Sequence, residues 1–190
     1  METMGKGKGR RDFIKVGVGA GLYIAASGLT GNLAACSSDR PVRIGFVGVG
    51  GRGTAMLKVA LSLAGVEVRA VCDIVPEKVE RAQRLVEKAG MPKPKGYTGP
   101  EDYRKMADQE DLDAIYTATP FELHTPVMLA AMRGGKYGAT EMPACSEYED
   151  AWELVETAEK TGKACMLMEN YAYRRNVMMV QVMAQQGLFG

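Results

Sequence analysis

A glycine-rich turn between an apolar strand and a helix constrains the fold of this chain more than any other feature. The turn carries the G-x-G-x-x-G spacing at Gly48, Gly50 and Gly53. An apolar stretch typical of a buried strand precedes it from Val42, and a helical pattern follows it from Thr54. In this context the motif binds a dinucleotide, with the phosphates at the helix N-terminus. We expect Gly48 to allow the tight turn, Gly50 to let the backbone approach a pyrophosphate, and Gly53 to let helix and strand pack closely.

An acidic residue supports this interpretation, because a glycine motif alone is also found in purely structural turns. The next predicted strand is Val66–Cys72, and Asp73 follows it, 20 residues after Gly53. An acid at this distance accepts hydrogen bonds from the adenosine ribose hydroxyls, and its charge repels the 2′-phosphate of NADP. The sequence therefore predicts NAD as the cofactor. The alternative is that Asp73 only caps the helix predicted to begin near Pro76.

Strands and helices alternate through residues 41–170, which predicts an α/β fold. Further strands are predicted at residues 96–98, 112–119, 136–141 and 163–170, with helices at 76–89, 100–107, 125–133 and 148–161. This alternation is typical of a Rossmann domain, a doubly wound parallel sheet, and we expect the strand order 3-2-1-4-5-6. Ligands bind at the carboxyl ends of such strands, so the candidate loops follow residues 48, 73, 119, 141 and 170.

The first 36 residues are predicted to be an export signal that does not belong to the folded domain. Arg10 and Arg11 form a twin-arginine motif, and a Gly/Ala-rich apolar run follows it. The run ends at Cys36 in a sequence that resembles a bacterial lipobox, in which this cysteine would be lipidated. A simple signal-peptidase site is the alternative. We expect export by the twin-arginine route to the periplasm, either free or anchored to the membrane as a lipoprotein.

The composition excludes two kinds of partner. The chain has 190 residues and a net charge of +1, with no basic excess that would indicate nucleic-acid binding. Its four cysteines lack the spacing of a metal site or a disulfide scaffold, so we expect no metal.

The candidate loops resemble those of the Gfo/Idh/MocA oxidoreductase family. The matching pieces are the Gly48 turn, Cys72-Asp73, Ala118-Thr119-Pro120 leading to His124, Gly134-Gly135-Lys136 and Glu141-Met142-Pro143. Within that family the chain is most similar to glycoside hydrolase family 109, the NAD-dependent α-N-acetylgalactosaminidases. The shared features are Gly50-Gly51-Arg52-Gly53, a Glu-x-Pro without lysine, and Met168-Glu169-Asn170-Tyr171 followed by Tyr173-Arg174-Arg175. The resemblance runs from about Val42 to the end of the chain.

The glycine motif and the resemblance together give the candidate NAD contacts. They are Gly48, Gly50, Gly51, Arg52, Asp73, Phe121, Glu122, Leu123, His124, Glu141, Met142 and Asn170. The family usually has tryptophan where this chain has Phe121 and Leu123, so only the first position keeps an aromatic wall. Arg52 opposes the dipole at a helix N-terminus, which indicates that an anion or another partner balances its charge.

Position 142 distinguishes between two activities. Dehydrogenases of the family typically carry Glu-Lys-Pro, whose lysine can assist proton transfer, and Met142 cannot. The resemblance therefore implies a glycosidase in which NAD takes a hydride from the sugar, the aglycone is eliminated, water adds and the hydride returns. A sugar oxidoreductase with net turnover of NADH is the first alternative. A truncated chain that binds a nucleotide without catalysis is the second.

Four features have a structural alternative. His124 is about equally well explained as a hydrogen-bonded structural residue. Asn170 could hold a turn, but its place in a loop at the carboxyl end of a strand favours ligand binding over that alternative. Trp152 shares a helical face with Val155, which predicts a place in the core. The last helix is strongly apolar around Met178 and Met183, which also predicts core packing, although no other part of the chain is obviously available to cover it.

Residues 171–190 are expected to begin a second, α+β domain, of which only the first helix is present. The catalytic residues would then lie beyond Gly190. We expect the full-length protein to bind a carbohydrate substrate and to form a homo-oligomer.

Overall fold

The computed structural model describes residues 40–189. The predicted export signal at residues 1–36, with its twin arginines and Cys36, lies outside these residues and stays a prediction. No helix within residues 40–189 is both long enough and apolar enough to cross a membrane.

Six parallel strands form one sheet in the order β3-β2-β1-β4-β5-β6. They are Val42–Val47 (β1), Val66–Cys72 (β2), Lys95–Tyr97 (β3), Ala114–Thr117 (β4), Tyr137–Thr140 (β5) and Cys165–Leu167 (β6). The predicted Rossmann fold and its strand order are confirmed. β4 begins at Ala114, two residues later than predicted. Just before it, the carboxylate of Asp113 accepts a hydrogen bond from the backbone N–H of Arg43 at 2.9 Å.

Helices connect successive strands, and one more helix follows the last strand. They are Gly51–Leu61 (α1), Pro76–Lys88 (α2), Asp102–Ala107 (α3), His124–Arg133 (α4), Tyr148–Thr161 (α5) and Arg175–Gln185 (α6), with short 3₁₀ turns at Phe121–Leu123 and Tyr171–Tyr173. α1 begins at Gly51, earlier than the predicted start at Thr54. The sequence did not indicate this, because glycine favours helix only weakly. α2 has Pro76 in its first turn, where proline costs no hydrogen bond.

Two apolar clusters hold the helices on the sheet. In one, α1 contributes Leu57 and α2 contributes Val79 and Val86, which are buried with Val68 and Val71 of β2. The other contains residues of α3, α4 and α5, among them Met106, Met128 and Leu154. Each fully buried side chain of this size stabilises the fold by about 1.5–3 kcal/mol. The clusters therefore hold the carboxyl ends of β1, β2, β4 and β5 in fixed relative positions.

The structure corrects the prediction for Trp152. Trp152 is 55% exposed and Val155 is 50% exposed, whereas Leu154 and Thr157 are the residues of α5 that are buried. Trp152 instead packs edge-on against Tyr148, one turn earlier in the same helix, with ring centroids 6.1 Å apart. The apolar face was identified from its spacing, but spacing does not show which face another element covers.

The apolar residues of α6 do not pack into the core that we expected for them. Met178, Met179 and Val180 are each about half exposed. Within residues 40–189, α6 has no buried residue. The assignment of residues 171–190 to a second domain stays a prediction.

Candidate dinucleotide-binding site

The glycine turn joins β1 to α1 and requires glycine at two positions. Gly48 has a φ of 78°, which residues with a side chain rarely adopt. A Cβ at Gly48 would also lie 2.7 Å from the carbonyl oxygen of Ala118, at the end of β4. A Cβ at Gly53 would lie only 1.8 Å from the carbonyl oxygen of Gly48. These are the tight turn and the close packing of helix on strand that the spacing predicts.

The start of α1 leaves open space beside Gly50 and Gly51. A Cβ built at Gly50 or Gly51 would meet no atom of residues 40–189 within 4 Å. Gly50 is the N-cap of α1, and no side chain caps this helix. The first N–H groups of a helix have no acceptor within it, and its dipole favours an anion. The residues present therefore fit the diphosphate of a dinucleotide.

Asp73 connects the glycine turn to the loop that follows β2. Its Oδ2 accepts the backbone N–H of Val49 at 3.0 Å, and its Oδ1 accepts that of Val75 at 3.0 Å. The ammonium group of Lys78 lies 3.7 Å from Oδ1. Val75, not Asp73, is the N-cap of α2, so the simple capping alternative does not describe this site. Each carboxylate oxygen accepts one backbone N–H and so retains acceptor capacity, and the carboxylate, 7% exposed, lines a cavity with Gly48 and Gly50.

The carbonyl of Val49 is held from the other side. It accepts hydrogen bonds from Thr54 Oγ1 at 2.8 Å and from Arg81 Nη2 at 2.8 Å. Together with Asp73, these contacts provide hydrogen-bond partners for both the backbone N–H and the backbone carbonyl of Val49. Arg81 was not identified from the sequence, because α2 shows only a charged outer face there and no motif marks one arginine.

Arg52 and Tyr116 both bind one oxygen of Glu141. Arg52 Nε lies 2.7 Å from Glu141 Oε1, and the Tyr116 hydroxyl donates to the same oxygen at 2.7 Å. The hydrogen bond to Glu141 raises the pKa of Arg52. This carboxylate is the partner that the unfavourable position of Arg52 on the helix dipole indicated. Tyr116 was not predicted, because it lies in a strand whose pattern is simply apolar.

Cavities lie at the carboxyl ends of the strands, and two of those lined by residues 40–189 share the loop that follows β4. The β2-side cavity has a volume of about 220 Å³ and is lined by residues that include Gly48, Gly50, Asp73, Lys78, Tyr103 and Leu123. The β5-side cavity has a volume of about 340 Å³ and is lined by residues that include Arg52, Phe121, His124, Glu141 and Met142. Both also contain Ala118, Thr119 and Pro120. They therefore adjoin between β1 and β4, where the strand order reverses and dinucleotides bind.

Some of the predicted contacts line a cavity in the structure, and others do not. Phe121, Glu141 and Met142 line the β5-side cavity, and Leu123 lines the β2-side cavity. Glu122 and Asn170 are exposed and line neither cavity. Asn170 lies beyond β6 at the edge of the sheet, where it precedes a 3₁₀ turn.

His124 is buried in the wall of the cleft. Its Nδ1 lies 2.6 Å from the carbonyl oxygen of Pro143, and its Nε2 lies 3.0 Å from that of Thr119. The ring thus links the loop after β4 to the loop after β5. This favours the structural interpretation of His124 over direct contact with a ligand. Within residues 40–189, no three His, Cys, Asp or Glu side chains are placed to hold a metal ion.

Comparisons with known sequences identify relatives of this chain. The Gfo/Idh/MocA family model, an oxidoreductase family with an NAD-binding Rossmann fold, matches residues 42–169. A glycosyl hydrolase family 109 protein of Saccharopolyspora erythraea is 39% identical over 95% of this chain and 43% of its own length. An α-N-acetylgalactosaminidase of Bacteroides fragilis is 41% identical over 78% of this chain and 35% of its own length. The chain thus spans less than half the length of these relatives.

A solved structure shows the same fold. The WlbA dehydrogenase from Bordetella pertussis, in complex with NADH and UDP-GlcNAcA, superposes with a TM-score of 0.70. The match covers 80% of this chain and 44% of that one, at 22% identity. Identity this low supports the fold and nothing finer.

Proposed function

This chain belongs to the Gfo/Idh/MocA oxidoreductase family, and from that premise we propose that the whole protein is an NAD-dependent glycosidase for an N-acetylgalactosamine-type sugar. NAD is the cofactor of the domain. The choice of a glycosidase is supported by relatives that are named glycosyl hydrolase family 109 protein and α-N-acetylgalactosaminidase.

Met142 is the observation that carries the proposal. It lines the β5-side cavity with its side chain 51% exposed, at the position where the resemblance puts a lysine in dehydrogenases. A thioether is only a weak acceptor and cannot transfer a proton. The ionisable side chains that line this cavity are Arg52, His124 and Glu141, and none of them is a lysine. A dehydrogenase that depends on the lysine is therefore disfavoured.

The described residues bind and orient the cofactor. The N–H groups at Gly51 and Arg52 would bind the diphosphate, Asp73 would accept the adenosine ribose hydroxyls, and Glu141 would lie beside the nicotinamide half. When bound, NAD supplies a hydride acceptor for a sugar carbon. NAD-dependent glycosidases do not follow the two-carboxylate scheme, so this domain does not need a pair of catalytic carboxylates.

A chromogenic N-acetylgalactosaminide tests the proposal with the full-length protein. We expect release of the aglycone without net formation of NADH. Asp73→Ala is the matched control: it should lose activity at low NAD and recover at high NAD. NADH that accumulates without aglycone release would identify a sugar oxidoreductase. A protein that binds NAD but does neither would be the non-catalytic alternative.

We also propose that the protein is exported and anchored. The twin arginines and the lipobox-like sequence before Cys36 support this. Arg10→Lys combined with Arg11→Lys should keep the protein in the cytoplasm, and Cys36→Ala should release it from the membrane fraction. A wild-type protein found only in the cytoplasm contradicts the proposal. The expected homo-oligomer is tested by light scattering during size-exclusion chromatography.

A further inference from the structure

We propose that Tyr116 is a positioning residue of the NAD site, which holds the carboxylate of Glu141 in place for the nicotinamide half of the cofactor. The inference rests on NAD binding and is independent of which sugar reaction the whole protein catalyses. A binding assay therefore tests it even if the proposed glycosidase activity is wrong.

Tyr116 reaches Glu141 from the neighbouring strand. In the parallel pairing of β4 with β5, Tyr116 lies opposite Ala139, two residues before Glu141. Its ring is buried and packs against Phe46, with ring centroids 5.2 Å apart. This hydroxyl is 2.7 Å from Glu141 Oε1.

Two donors from different segments meet at this oxygen. Arg52 Nε approaches from the start of α1, also at 2.7 Å, while Tyr116 approaches from β4. Two donors on one oxygen determine both the position and the rotation of the carboxylate. Among residues 40–189, no hydrogen bond uses Oε2 of Glu141, and Glu141 lines the β5-side cavity. Oε2 is therefore the oxygen available to a ligand.

The position of this network indicates which half of NAD it serves. Asp73 and the β2-side cavity would receive the adenosine half, and the glycine turn would bind the diphosphate. The β5-side cavity remains for the nicotinamide half. Tyr116 is a suitable donor because burial, followed by the hydrogen bond to Glu141, raises its pKa and keeps the phenol protonated. A hydrogen bond to an ionised acceptor is stronger than one between neutral groups.

Tyr116→Phe tests the role, because it removes the hydroxyl and keeps the ring. Calorimetric titration of the full-length protein compares NAD with ADP, which lacks the nicotinamide half. The loss of one charge-assisted hydrogen bond should raise the Kd for NAD about three- to tenfold. The Kd for ADP should change by less than about twofold, because its contacts lie at the glycine turn and Asp73.

Tyr97→Phe is the matched control. Tyr97 is also a buried tyrosine on a strand, but its hydroxyl has no hydrogen-bond partner within residues 40–189, so its removal should leave both affinities unchanged. In a Glu141→Ala background, Tyr116→Phe should have no further effect on NAD if it acts through Glu141. Three results would overturn the proposal: unchanged NAD affinity, an equal loss for NAD and ADP, or a full effect that persists without Glu141.

Discussion

The close approach of Gly53 to the carbonyl of Gly48 predicts that two alanine variants of α1 differ in stability. Gly51→Ala and Gly53→Ala both place a methyl group in the first turn of the same helix. The Cβ at position 53 would be 1.8 Å from the Gly48 oxygen, whereas at position 51 it would meet no atom of residues 40–189 within 4 Å. The two variants differ in this contact and share the gain in helix propensity.

The expected cost follows from the distance. Carbon and oxygen atoms that are not bonded approach to about 3.3–3.6 Å, so Gly53→Ala must separate the turn from the helix by about 1.5 Å. Overpacking costs about 1–3 kcal/mol, and the upper value applies because a backbone carbonyl cannot rotate away as a side chain does. Because alanine favours helix more than glycine does, the substitution also stabilises the helix by up to about 1 kcal/mol. The net loss is about 2 kcal/mol, or about 4–8 °C in Tm for a domain of this size.

Thermal unfolding followed by circular dichroism, with and without NAD, measures both effects. Gly51→Ala should unfold at or slightly above the wild-type temperature and should still be stabilised by NAD. Gly53→Ala should unfold earlier and gain less from NAD, because the displaced turn no longer presents its N–H groups correctly. If Gly53→Ala is as stable as Gly51→Ala, the close contact between turn and helix is not real and the reasoning fails.

Three further predictions concern the groups around the turn. Asp73→Ala should weaken NAD binding at least about tenfold, because it removes the ribose acceptor and leaves the Val49 N–H unpaired; unchanged affinity in a fluorescence titration would remove the ribose assignment. Arg81→Met should lower stability by about 0.5–1.5 kcal/mol in urea, through the lost hydrogen bond to the Val49 carbonyl; a change at exposed Arg84, which makes only an i,i+4 ion pair, is the control. Burial raises the pKa of Cys72 from 9.0 to about 12, so between these values the unfolded state binds fewer protons and stability falls as pH rises. Cys72→Ala should make this alkaline decline in the urea midpoint shallower, and an unchanged slope would argue against a buried neutral thiol.

Local patterns predicted the framework of the site well. The G-x-G-x-x-G spacing determines a turn of six residues, so it correctly indicated where a Cβ is excluded and where space is open. Asp73 follows a strand whose apolar pattern is continuous, and this placed it at the carboxyl edge of the sheet. Both inferences concern neighbouring residues or a strand end, where the chain itself limits the geometry.

Contacts between distant segments were not predictable in the same way. Arg52 and Glu141 are 89 residues apart, and Tyr116 and Glu141 are 25 apart. Their meeting depends on the pairing of β4 with β5 and on the conformations of two loops. A tyrosine in an apolar strand also gives no sign of which way its hydroxyl points. The prediction of a core position for Trp152 was wrong for a related reason, because helical spacing identifies an apolar face but not the element that covers it.

The hydrogen bonds around Val49 have a consequence for the speed and entropy of cofactor capture. Asp73 holds the N–H of Val49, and Thr54 and Arg81 hold its carbonyl, so the phosphate-binding segment is ordered within the domain itself. Ordering one residue costs about 1–2 kcal/mol of conformational entropy, and here folding meets that cost before any ligand arrives. A preorganised site loses less freedom on association. NAD should therefore bind in one kinetic step whose observed rate rises linearly with its concentration, without a slow phase from loop closure.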